Sequence, residues 1–139
     1  MRTASVAHAA VYRASGGRLA GNVRSLSVLL LTTTGRTTGK QRTAPLLFIR
    51  DGADVVVVAS NGGMDWFPAW WLNLQQNPAA VIEIGRDRRH VRAEKADPER
   101  RARLWPRFTG PYPGYLKYAA RTSREIPLVI LHPSDQGQG

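Results

Sequence analysis

Val28-Leu29-Leu30-Leu31-Thr32-Thr33-Thr34, closed by Gly35, constrains the fold more than any other stretch of this chain. A short aliphatic and β-branched run bounded by a glycine reads as a buried strand. The polar, glycine-bounded turn Gly35-Arg36-Thr37-Thr38-Gly39-Lys40 follows it, and a second strand, Thr43 to Arg50, leaves that turn and ends at Asp51-Gly52. Asp-Gly is a strong turn signal, because glycine accepts the positive φ that tight hairpins need. Val55 to Ser60 makes a third strand, Val81 to Gly85 and Arg88 to Ala96 a hairpin around Arg86-Asp87, and Pro127 to Leu131 a closing strand.

Helices fall between these strands without regular alternation. Pro68-Ala69-Trp70-Trp71-Leu72-Asn73-Leu74 reads as a helix stopped by Asn77-Pro78. Asp97-Pro98-Glu99 is a helix start, with Asp97 placed to cap free amides and Pro98 tolerated in the first turn, and the helix runs to about Phe108. Tyr112 to Arg121 reads as another short helix, and residues 4 to 14 as one ended by Gly16 and Gly17. Strands joined by tight turns argue against a doubly wound sheet and for an antiparallel barrel. The expected organisation is an N-terminal arm over 1–25, a barrel over 26–133 and a frayed tail over 134–139.

The chain's 139 residues suit one domain, and 42% hydrophobic with 22% charged residues is an ordinary globular composition. The absence of cysteine removes disulfides, thiolate metal sites and cysteine nucleophiles together. His8, His90 and His132 are widely separated and read as surface histidines, so no metal site is expected. Glu94, Asp97 and Glu99 are better explained as helix caps than as an acid/base pair. Apolar runs fall far short of the roughly 20 residues that a membrane span needs, and the N-terminus lacks a secretory apolar segment. The lack of cysteine suits a reducing cytosol without fixing the compartment, and the expected location is cytoplasmic or the cytoplasmic face of a membrane. Twenty basic residues against ten acidic ones give a net charge of +10, which points to an anionic ligand: nucleic acid, a lipid surface or a phosphorylated cofactor.

Three stretches could carry chemistry. Gly35 to Thr43 sets Arg36, Lys40 and Arg42 among the hydroxyls of Thr37, Thr38 and Thr43 on a flexible loop, a composition that can wrap an anion through charge-assisted hydrogen bonds. It is not a Walker loop, since the four-residue spacer fails, and taken alone it reads slightly better as a solvated hairpin turn. Ser60-Asn61-Gly62-Gly63 ends the third strand with two glycines that permit close backbone approach to a flat ligand. Trp66, Phe67, Trp70 and Trp71 cluster beside it, and helical geometry lets at most one of the paired tryptophans face a given pocket. Tyr112, Tyr115 and Tyr118 recur every third residue, a slowly drifting stripe that can line a pocket or pack in a core, and Pro113-Gly114 gives the segment a lid-like character.

Taken together, Leu29 to Arg36, Arg42-Thr43-Ala44-Pro45-Leu46, Asp51-Gly52, Ala59 to Gly63, Pro68 to Leu74, Asn77-Pro78, Tyr112-Pro113-Gly114-Tyr115 and Arg121 to Pro127 resemble the deazaflavin-dependent nitroreductase family from Tyr12 to Pro133. The resemblance implies an α+β, mainly β architecture: a six-stranded antiparallel split β-barrel with flanking helices, binding coenzyme F420, an 8-hydroxy-5-deazaflavin. It implies that Arg36, Thr37, Thr38 and Arg42 hold the coenzyme phosphate and acidic tail. Thr37 stands where relatives commonly carry lysine, and Lys40 compensates. Along the ring it implies Thr43, Ala44, Pro45, Leu46, Leu47 and Phe48 from the second strand, with Leu47 replacing an aromatic of some relatives. Val58, Ala59, Ser60 and Asn61 would meet the ring from the third strand, and Ala69, Trp70, Trp71, Leu72 and Asn73 from the helix. Tyr115 would sit over coenzyme and acceptor, Tyr112 and Tyr118 would shape the acceptor pocket, and Ser60 would bond the acceptor oxygen.

The activity so implied is hydride transfer to a small quinone-like, enone or nitroaromatic acceptor, which needs no catalytic triad because the cofactor carries the chemistry. An F420 carrier without turnover and a basic nucleic-acid-binding domain are the alternative readings, with nucleic acid not expected as a partner. Peripheral membrane association through the N-terminal helix, with Arg13, Arg18 and Arg24 near anionic lipid, and a homodimer are the further expectations.

Overall fold

The computed structural model describes residues 22–23, 26–60, 66–122 and 124–134. The predicted N-terminal helix, Asn61-Gly62-Gly63 and residues 135–139 lie outside them. The elements are β1 (Asn22–Val23), β2 (Leu26–Thr34), β3 (Gln41–Asp51), β4 (Asp54–Val58), α1 (Ala69–Gln76), β5 (Ala79–Ile84), β6 (Asp87–Lys95), α2 (Pro98–Thr109), α3 (Gly114–Arg121) and β7 (Leu128–Pro133). All pairings are antiparallel, in the order β1-β2-β3-β4-β7-β6-β5, and β5 pairs back onto β2 through Leu31↔Ile82 and its neighbours. That last pairing closes a six-stranded barrel, as expected, with the short β1 added outside it. Among the described residues no helix is long and apolar enough to cross a membrane.

The barrel is buried on two sides, which explains why β2 lacks alternation. Leu29 and Leu31 point into the barrel with Phe48, Val57, Ile82, Val91 and Leu131, whereas Val28 and Leu30 pack outside with Leu47. A strand covered on both faces must be apolar throughout. α1 starts after Pro68, whose carbonyl accepts from the Trp71 and Leu72 amides, and it drives Trp70, Trp71 and Leu74 into the barrel interior. Across the outer face of β4 and β7, α2 lays Leu104 and Phe108 on Val56, Val58, Leu128 and Ile130, and α3 adds Tyr115 to the same cluster.

The predicted Asp97 cap is present: its carboxylate accepts from the Arg100 amide at 2.8 Å. Glu94 is not a cap. Its carboxylate meets His132 Nε2 at 2.8 Å, while Asp54 meets Nδ1 of the same ring at 2.9 Å. His132 therefore bridges β6 and the start of β4 instead of standing alone on the surface, a role that its chain neighbours could not reveal. Gly39 and Gly52 adopt φ of 74° and 64° in the two turns where the sequence placed tight reversals.

Candidate active site

β3 is longer than its partner on one side, and that mismatch makes the site. Thr34 to Ser27 of β2 cover it from Gln41 to Phe48, but β4 pairs only with Phe48 to Asp51. The other edge of β3 from Gln41 to Leu47 meets no strand among the described residues. Pro45, which has no amide hydrogen to give a ladder, lies in this stretch, opposite Leu30. Two clefts open on it. One, of about 250 Å³, is lined by Gly35, Arg36, Thr37, Thr38, Arg42, Ala69 and Asn73. The other, of about 380 Å³, is lined by Pro45, Leu46, Leu47, Val58, Ser60 and the three tyrosines Tyr112, Tyr115 and Tyr118. Arg42 of one cleft and Pro45 of the other are three residues apart on β3, about 10 Å along the backbone at the usual strand rise.

The turn cleft is built on a closed loop. The Gly35 amide donates to the Lys40 carbonyl and the Gly39 amide to the Gly35 carbonyl, both at 2.8 Å. A side chain at Gly35 would meet the Lys40 carbonyl oxygen at 3.0 Å, which keeps the loop tight. Asn73, 2% exposed, anchors the loop to α1: its Oδ1 accepts from the Arg36 amide at 3.1 Å and the Arg36 guanidinium at 3.0 Å. Its Nδ2 donates to Thr33 Oγ1 at 3.1 Å. Arg42 is half-buried and meets no ion-pair partner among the described residues. A half-buried cation beside open space and hydroxyls is an anion-binding composition.

The tyrosine cleft has a different character, apolar with phenols. Tyr115 is buried, and its ring meets Phe108, Tyr112 and Tyr118 edge-on at 5.0 to 6.0 Å between centroids. Burial pushes its phenol far above the usual tyrosine range, with Tyr112 and Tyr118 adding to the rise. Its hydroxyl meets no hydrogen-bond partner among the described residues. Tyr112 and Tyr118 share a hydroxyl–hydroxyl contact of 3.2 Å, which raises the Tyr118 phenol.

The remaining predicted residues are dispersed. Ala44 and Leu46 pack against the interior cluster, which holds Phe48, Ala59, Trp70 and Trp71 outright. Thr43 pairs its hydroxyl with that of Thr32 at 2.9 Å, Leu72 is half-buried, and Lys40 is exposed, its amide donating to Thr38 Oγ1. Asn61 is outside the described residues. Sequence reasoning passed over Arg124, whose guanidinium donates to the carbonyls of Ala59 and Ser60 at 3.2 and 2.6 Å and lies 4.8 Å from the Phe67 ring centre. It fastens the chain end of β4 at the cleft rim. The quoted segment from Arg121 to Pro127 contained it, but nothing local distinguished it from sixteen other arginines.

Fold and site together define a split-barrel reductase domain: an apolar, aromatic cleft of ring size beside a cationic one, with no metal-ligating cluster among the described residues. The comparisons specify it. Residues 4–133 match the family described as F420H(2)-dependent quinone reductase, and the chain belongs to that family. It is 45% identical over 114 residues to Rv3178 of Mycobacterium tuberculosis, which carries that enzyme name provisionally, covering 82% of this chain and 96% of the relative. It is 39% identical over 128 residues to the F420H(2)-dependent quinone reductase Rv1261c of the same species, covering 89% and 86%. Among solved structures, an F420-H2 dependent reductase superposes with a TM-score of 0.69 at 32% identity, covering 76% of this chain and 93% of that one. The protein is accordingly an F420H2-dependent reductase with F420 as its cofactor, and the quinone reductases are a tighter fit than the wider nitroreductase label.

The residues present suit that group. A flat ring would need the apolar cleft and a phosphate the cationic one, and β3 contributes residues to both.

Proposed function

We propose that the chain reduces a quinone-like acceptor, with enones and nitroaromatics as weaker alternatives, in the tyrosine cleft. The observation that carries this reading is the apolar, phenol-lined cleft and the cation-lined cleft on one unpaired strand edge. Names of the relatives favour quinones within that set. When bound, the reduced deazaflavin supplies a hydride held on ring carbon, so the protein's task is orientation and exclusion of water.

Arg36 and Arg42 grip the phosphate with help from Thr37 and Thr38, while Pro45, Leu46, Leu47 and Val58 give the ring a dry wall. Tyr115 donates a hydrogen bond to the acceptor oxygen. Its raised pKa keeps the phenol protonated at neutral pH, which suits a donor and disfavours a phenolate. Ser60 supplies a second donor, and Tyr112 with Tyr118 bounds the acceptor. A homodimer is the proposed assembly, since a solved chain 28% identical, with a TM-score of 0.69, was described as a domain-swapped dimer.

The test is oxidation of reduced F420 followed by absorbance with a short-chain quinone, an enone and a nitroaromatic in turn. Quinone-dependent oxidation several times faster than the others is expected. Tight coenzyme binding without acceptor-dependent oxidation by any of the three would replace this reading with that of a carrier.

A further inference from the structure

We infer that Asn73 is a positioning residue for coenzyme binding: it acts through Arg36, holding that side chain and its backbone in the phosphate-gripping pose, without touching the ring. This rests on the reading of the turn as the phosphate site.

Both lone pairs of the Asn73 amide oxygen are engaged by one neighbour, the Arg36 backbone N–H at 3.1 Å and its Nη1 at 3.0 Å. The same guanidinium nitrogen reaches the Ala69 carbonyl at 3.5 Å, one turn earlier on α1. On the other side the Asn73 Nδ2 donates to Thr33 Oγ1, and Thr33 is 1% exposed. The amide can serve both partners only in one orientation, with nitrogen toward the hydroxyl and oxygen toward the arginine. Thr33 thus fixes the amide, the amide fixes Arg36, and the start of the turn is tied to α1 and β2 at once.

This arrangement matters because arginine carries a large rotamer entropy that binding must otherwise remove. A guanidinium already held by a neutral acceptor keeps its full charge for an incoming anion. An aspartate in place of Asn73 would hold Arg36 as firmly but neutralise it, so the neutral amide is the residue type that positions the cation without cancelling it. The buried Asn73 amide faces the base of the cleft and the tyrosine cleft does not include it, which separates this role from ring contact.

A double-mutant cycle on the dissociation constant of oxidised F420, followed by fluorescence, tests the inference in the full chain. Arg36→Ala is expected to weaken binding by about tenfold or more, and Asn73→Ala by several-fold. In the Arg36→Ala background, where only the backbone bond at residue 36 remains, Asn73→Ala should cost clearly less than it does in the wild type. Asn73→Asp should weaken binding at low salt, although Arg36 stays held, because the added carboxylate opposes the phosphate. Should Asn73→Ala fail to fold in thermal melts, Thr33→Val carries the same cycle, with a smaller loss that again shrinks without the Arg36 side chain. Fully multiplicative losses would overturn the inference, since they assign Asn73 a contact of its own. Equal binding by Arg36→Ala and wild type would instead remove the phosphate-site reading on which it stands.

Discussion

Arg42 and Tyr115 are the two side chains whose unspent chemistry faces the clefts. Arg42 carries a half-buried charge without an acidic partner among the described residues, a state that costs desolvation unless an anion relieves it. A charge-assisted hydrogen bond contributes about 1.5–3 kcal/mol, so Arg42→Ala should raise the dissociation constant for F420 by about ten- to a hundredfold. The loss should shrink as salt rises, which titrations at two ionic strengths would reveal; a salt-independent loss would place Arg42 outside the electrostatic grip. Tyr115 separates two roles by atom. Its ring packs against Phe108, Tyr112 and Tyr118, while its hydroxyl has no described partner. Tyr115→Phe should therefore leave the melting temperature within a degree or two yet lower kcat/KM about tenfold, and Tyr115→Leu should lower both. If the phenylalanine variant retains full activity, the acceptor oxygen is held by Ser60 or by solvent instead.

Elements differ in how plainly their residues declare them. Each of the six barrel strands was legible because a turn chemistry bounds it: Gly35 and Gly39, Asp51-Gly52, Gly85, Asn77-Pro78 and Asp97-Pro98 mark the boundaries, and β-branched runs fill the intervals. α2 was legible from its cap, and removing it has a definite cost: Asp97→Ala should destabilise the fold by about 1 kcal/mol, read as a lowered denaturation midpoint. What could not be read is which elements meet across the chain. Closure of β5 onto β2 joins Ile82 to Leu31, and the anchoring of the basic turn joins Asn73 to Arg36. Both pairings depend on barrel geometry that no local pattern encodes. Trp70 and Trp71 are consistent with the helical limit of at most one per pocket, since both join the interior cluster and neither lines the two clefts. The candidate site was legible as two separate stretches, basic turn and tyrosines, while the strand-edge mismatch that joins them emerged only from register.

At the scale of the whole molecule, the end of the β3–β4 hairpin remote from the clefts is held by charge. Arg100 donates to Asp51 and Asp54 at 2.8 Å, Arg103 donates to both oxygens of Asp51, and His132 spans Asp54 and Glu94. These bonds fasten α2 and β7 to the hairpin and give stability two pH limits. The Arg103 hydrogen bond outweighs desolvation and, with Arg100, lowers Asp51 from 3.8 to about 2. A depressed carboxylate stabilises fully above its unfolded value near 3.9, and that contribution disappears as pH falls toward 2. His132 behaves oppositely. Burial alone would lower it, but Glu94 and Asp54 together raise it above its ordinary 6.5. Its contribution is therefore complete below 6.5 and is lost as pH rises through the raised value, because the folded state then releases a proton that the unfolded state has already given up. With the imidazole 36% exposed, solvent screening keeps the effect to about 1 kcal/mol or less. Melting temperatures from pH 5 to 9 should fall by a few degrees across this window in the wild type, and His132→Gln should flatten the fall while leaving the acid limb set by Asp51 unchanged. A wild-type curve that rises between pH 6 and 8 would contradict the sign of the His132 coupling and with it the clasp as the origin of the alkaline limit.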